Sequence, residues 1–163
     1  MGLQEDIDLL SRVGLFRDFG LEHLRLIAFG TERQIVKKGT TLFSEGDESE
    51  GGYVIASGQI DIVLHSGDRD LVLESCRPAG LIGEMALITS VRRVASAVAK
   101  TECELLFIPR PLFHRLLREY PEKAKMLHTR ISHSVRELVQ QMEDVQEKLK
   151  MIPPLGGGDD QEK

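Results

Sequence analysis

Between Thr31 and Pro109 the chain alternates short apolar, β-branched runs with clusters of glycine and small polar residues. The runs read RQIVKKG, TTLF, YVIAS, QIDIVLH and LVLES, then VASAVAK and ECELLFIP, with SEGDESEGG and SGDRD among the separators. Runs of this length bounded by turn residues predict strands, and several in succession predict a β-roll or jelly roll. His65 to Asp70, HSGDRD, reads as a hairpin loop. On either side the period changes. Leu21, Leu24, Ile27 and Ala28 recur at helical spacing and Gly30 supplies a stop, while Gly14 and Gly20 divide the first thirty residues into short pieces. Pro111 to Tyr120 predicts a short helix with Pro111 in its first turn. The expected fold class is therefore α+β, mainly β. A helical bundle (3–30), a β-roll (31–109) and C-terminal helices (110–150) form one domain over residues 1–150, and residues 151–163 form a disordered acidic tail.

Pro121 opens the last and longest predicted helix. Within it Ile131, Val135, Leu138, Met142, Val145 and Leu149 are spaced 4, 3, 4, 3, 4, the stripe that a coiled-coil seam requires. Arg136, Glu137, Gln140, Glu143 and Glu147 occupy the reverse face. A homodimer through residues 131–149 is expected. Packing of the stripe back onto the roll is the competing arrangement.

One segment carries chemistry. In GLIGEMALITSVRRVASA, Gly83 sits at a strand-to-helix junction, followed by Glu84 in a short apolar helix and, nine residues on, by Arg93. Glycine lets a ligand approach the backbone closely, and the free N–H groups of a helix start suit an anion. An acid there would repel a phosphate unless it met a sugar hydroxyl, whereas a guanidinium can fork onto two phosphate oxygens. A ligand carrying both groups a few ångströms apart is a cyclic nucleotide.

Gly83-Glu84-Met85-Ala86-Leu87 followed by Arg93-Val94-Ala95-Ser96 closely resembles the phosphate-binding cassette of cyclic nucleotide-binding domains. EGD at 45–47, YVIASG at 53–58 and QIDIVL at 59–64 resemble that family's first strands. The resemblance implies that Glu84 takes the ribose hydroxyl and Arg93 the phosphate, with backbone N–H groups of Gly83, Ala86 and Val94 completing the cradle and Ile82, Met85 and Ala95 beside them. It also places Ile62, Leu73 and Cys76 on strands flanking the base, and Leu138 or Val139 as an apolar lid. In the family a hydroxyl after the phosphate arginine favours guanine. Val94 lacks one, so cAMP is expected in preference to cGMP. Arg92 stands where the family commonly has proline, and reads as a loop charge. The alternative is a domain in which Glu84 and Arg93 pair only with each other, serving as a ligand-free dimeric adaptor.

Composition narrows the remaining classes. The formal charge of -5 counts against nucleic acid as a partner. No apolar run approaches the roughly 18 residues of a membrane span, and the acidic start does not read as a signal peptide. Cys76 and Cys103 lack C-x-x-C spacing, and His23, His65, His114, His128 and His133 are scattered with no H-x-H in the roll, so no metal site is expected. Neither a nucleophile elbow nor a P-loop occurs, so no catalytic residue is assigned. A cytoplasmic sensor is expected, with no enzyme activity, no cofactor beyond its nucleotide ligand and no effector domain of its own. Its ligand would change the docking of the helices after Pro109 for an unknown downstream protein.

Overall fold

The structure, a computed structural model, describes residues 2–126 and, beyond them, residues 129, 139, 140, 143, 144 and 147. The strands are β1 (Glu32–Val36), β2 (Thr41–Phe43), β3 (Gly51–Ser57), β4 (Ile60–Ser66), β5 (Arg69–Cys76), β6 (Leu81–Ile82), β7 (Ser96–Ala99) and β8 (Cys103–Pro109). They form two antiparallel sheets with strand orders β1-β8-β3-β6 and β2-β7-β4-β5. Helices α1 (Leu3–Ser11) and α2 (Leu21–Gly30) precede the roll, α3 (Glu84–Ile88) interrupts it, and α4 (Arg110–Glu119) follows it. Residues 121–126 are helical as well.

The two faces of the β1-β8-β3-β6 sheet explain the sequence pattern. Ile55 and Leu105 point between the sheets, where Ile60, Cys76, Ile82, Ala97, Ala99 and Cys103 meet them. Their chain neighbours Val54 and Leu106 turn the other way, into a second core with Leu10, Phe16, Ile27, Phe113 and Leu116. A strand buried on both faces reads as a continuous apolar run, which is why YVIAS and LLFI lack clean alternation. β5 is more exposed and does alternate along Asp70 to Leu73. Each fully buried large side chain contributes about 1.5–3 kcal/mol, so the two cores hold the roll and its helices together from opposite sides of one sheet.

The hairpin between β4 and β5 is tighter than the sequence reading. His65 pairs with Asp70 and Ser66 with Arg69, leaving a two-residue turn at Gly67 and Asp68. Gly67 takes φ 62°, the left-handed region that such turns demand. Arg33 on β1 bonds to Asp6 of α1 and to Glu104 of β8, fastening the N-terminal helix to the sheet edge.

Candidate functional site

Arg93 is held in place by main-chain pairing with a loop far away in sequence. Its N–H donates to the Asp47 carbonyl and its carbonyl accepts from the Gly46 N–H, both at 2.8 Å. Two residues earlier, the Val91 carbonyl accepts from the Ser49 N–H and hydroxyl. The loop between β2 and β3 and the loop after α3 thus form a small ladder, and it aims the Arg93 side chain inward. That side chain is only 9% exposed. Nη2 donates to the Gly51 carbonyl at 3.0 Å, and Nε is buried without a hydrogen-bond partner. Among the described residues no carboxylate forms an ion pair with Arg93. Burial lowers the guanidinium's pKa below its ordinary value; Tyr53 and Asp47 oppose that and nearby Arg110 adds to it. Burying a cation without a paired anion is unfavourable, so the arrangement suits a negative group.

Gly83 supplies the room. It precedes α3 at φ 83°, ψ 45°. A Cβ built there would lie 2.4 Å from Arg93 Nη1 and 3.4 Å from the Gly51 carbonyl oxygen. Glycine therefore meets two demands at once, a left-handed backbone and a guanidinium laid across its Cα.

The other sequence-predicted residues divide by location. Ala86 and Ala95 are buried beside the cassette, and Ile82 is buried in the inter-sheet core. Met85 packs on the helical core, and Ile62 packs against the inter-sheet core. Leu73 is half-buried on β5. Cys76 is buried between the sheets, and burial pushes its thiol up to about 12. The Ala86 N–H already donates to the Gly83 carbonyl at 3.0 Å. By contrast, among the described residues no backbone carbonyl accepts from the Val94 N–H, and Val94 is 51% exposed. Glu84 opens onto a cleft of about 490 Å³ that Arg12, Leu15, Glu74, Cys76 and Gly80 also line. Arg93 is not among its walls, so the two charged residues do not share this opening. Arg92 is an exposed loop charge that also ties the loop by donating to the Gly46 carbonyl at 3.0 Å. Leu138 and the seam residues Ile131, Val135, Met142, Val145 and Leu149 lie outside the described residues. Val139 is described, helical and 47% exposed.

Sequence reasoning missed the residues that hold the cassette from behind. Arg110, at the start of α4, donates from Nε to the Ala86 carbonyl at 2.8 Å, and from Nη2 to the Ser49 carbonyl and hydroxyl. One turn on, His114 Nε2 donates to the Ile88 carbonyl. Phe43 and Tyr53 pack against the Arg93 guanidinium. The sequence signal for Arg110 was its place between two prolines at the end of a strand, where a helix must begin.

Known proteins share the sequence and fold of this domain. The profile of the cyclic nucleotide-binding domain matches residues 33–120. The cyclic AMP receptor protein of Thermus thermophilus is 32% identical over 124 residues, covering 76% of this chain and 57% of that protein. The cAMP-dependent protein kinase regulatory subunit of Eremothecium gossypii is 30% identical over 123 residues, covering 74% of this chain and 26% of that one. The chain thus spans less than two thirds of either relative. The structure of a cyclic nucleotide-binding-like protein from Brucella abortus superposes with a TM-score of 0.64 at 38% identity, covering 70% of this chain and 98% of that chain. The family match spans more than half of the chain, and relatives 30% identical or more cover it to over two thirds: the chain belongs to the cyclic nucleotide-binding domain family.

Proposed function

We propose that the chain is a cAMP-binding sensor domain whose ligand changes how the helices after Pro109 dock on the roll. One observation carries the reading. Arg93 is a buried cation with an orphaned Nε and no paired carboxylate among the described residues. A phosphodiester supplies the missing charge and the missing acceptors. Gly83 admits the phosphate, the Val94 N–H adds a donor, and Glu84, in the first turn of α3, takes the ribose 2′-hydroxyl. Ile62 and Leu73 offer apolar, half-buried strand positions for the base. The ties from Arg110 and His114 to the carbonyls of α3 support the second half of the reading. A ligand that shifts α3 pulls on α4, and a switch needs only that one helix arrangement bind better than the other. The preference for cAMP rests on Val94, which lacks the hydroxyl that would bond guanine. The partner surface is a homodimer through residues 131–149.

Thermal unfolding with and without each cyclic nucleotide tests the proposal. At 100 times its dissociation constant a ligand of the native state adds about 2.7 kcal/mol. In a domain of this size that raises Tm by roughly 5–10 °C. The expected result is a larger shift with cAMP than with cGMP, abolished in Arg93→Ala. No shift with either nucleotide overturns the reading in favour of a ligand-free adaptor. Hydrogen exchange in residues 110–126 that ignores cAMP overturns the switch.

A further inference from the structure

Among the described residues the Arg93 guanidinium is held by rings rather than by an ion-paired carboxylate. Its Cζ stands 4.1 Å from the centre of the Phe43 ring and 5.9 Å from that of Tyr53. The two rings are 6.2 Å apart, and Phe107 continues the stack 5.0 Å beyond Tyr53. The stack is assembled from β2, β3 and β8, strands drawn from both sheets.

A buried guanidinium can be fixed in two ways. A carboxylate would fix it and also neutralise it, competing with any anionic ligand. Ring faces fix its plane through their quadrupoles and leave its charge intact. They also cover only the flat side, so the N–H groups along the edge stay open to oxygen acceptors. Here the edge is partly used, with Nη2 on the Gly51 carbonyl and Nε without a partner.

We propose that Phe43, backed by Tyr53, is a positioning residue for anion binding: its ring fixes the plane of the Arg93 guanidinium while leaving charge and N–H edge to the ligand phosphate. The proposal rests on the reading that Arg93 receives a cyclic nucleotide. It adds a specificity element outside the cassette, contributed by a strand from the other end of the roll sequence.

Calorimetry with cAMP on wild type, Phe43→Met and Phe43→Tyr tests it, together with the Arg93 Nε–H resonance of each ¹⁵N-labelled protein without ligand. Phe43→Met keeps an apolar side chain of similar reach and removes the ring. Its affinity should fall by about 2- to 30-fold, the range of an exposed to a desolvated cation–π contact. Phe43→Tyr keeps the ring and should bind like wild type. The Arg93 resonance should carry a ring-current shift in wild type and Phe43→Tyr and lose it in Phe43→Met. Unchanged affinity in Phe43→Met, an equal loss in Phe43→Tyr, or a resonance indifferent to the ring overturns the proposal while wild type still binds cAMP. A wild type that binds neither nucleotide overturns the function reading, and this proposal with it.

Discussion

Replacing Arg93 by methionine should make the ligand-free domain more stable while destroying its function. The substitution removes a Gly51 hydrogen bond, worth about 1.5–3 kcal/mol for a charged donor. It also removes the Phe43 contact, worth about 0.5–2 kcal/mol. Against these stand the orphaned Nε, which costs about 1–3 kcal/mol, and the desolvated charge itself, which costs several kcal/mol when no anion answers it. Methionine ends near the position of Nε, two atoms short of the guanidinium tip, and its flexible apolar chain covers part of the ring surface left behind. The balance favours the variant by roughly 1–2 kcal/mol, or about 2–8 °C in Tm. Scanning calorimetry of both proteins without nucleotide, then with saturating cAMP, reads both halves. Wild type should melt lower alone and higher with ligand, and the variant should ignore the ligand. A variant that melts several degrees below wild type would show that Arg93 serves the fold, and a variant still protected by cAMP would remove it from the site.

Gly83→Ala should destabilise the domain by about 1–2 kcal/mol, the left-handed penalty of a Cβ, and should weaken cAMP at least tenfold by driving Arg93 Nη1 off its seat; denaturant midpoints and calorimetry read the two effects. Ala79→Gly should stabilise by about 0.5–1 kcal/mol. Ala79 sits at φ 70° between Pro78 and Gly80, and relief of about 1–2 kcal/mol outweighs the roughly 0.4–1 kcal/mol of added unfolded-state entropy; a lower urea midpoint refutes it. Cys76 should resist alkylation at pH 8 until the chain unfolds, because burial holds its pKa up to about 12 against an ordinary 9.0. The unfolded thiol loses its proton first, so stability should fall as pH rises from about 9 to 12, more steeply in wild type than in Cys76→Ala.

The strands were readable because burial imposes period and glycine marks the turns. The candidate cassette stood out because its residues lie within one short segment, Gly83 to Ser96, and the resemblance to the family rests on that spacing. What stayed hidden depends on contacts across long stretches of chain. Phe43 and Tyr53 reach Arg93, and Ser49 reaches Val91 and Arg110, only after the two sheets close. In sequence, Phe43 and Tyr53 were simply apolar strand residues. Arg92 is an exposed loop residue as read, but its bond to the Gly46 carbonyl stayed hidden for a related reason, since carbonyls leave no trace in side-chain pattern. The hairpin at residues 65–70 came out too wide because SGDRD is polar throughout, and polarity does not reveal how far a ladder runs into a turn.

The hydrogen bonds from α4 to α3 end on main-chain atoms, beside the apolar packing of Leu87 with Phe113 and Leu116. Arg110 and His114 address the carbonyls of Ala86 and Ile88, not their side chains. In the proposed function, ligand choice is written instead in side chains such as Glu84 and Val94. Recognition and transmission are thus encoded in different parts of the same five-residue helix and its flanks. Substitutions that retune the pocket toward another nucleotide leave the mechanical linkage uncut, so this scaffold can change the signal it hears without rebuilding how it answers.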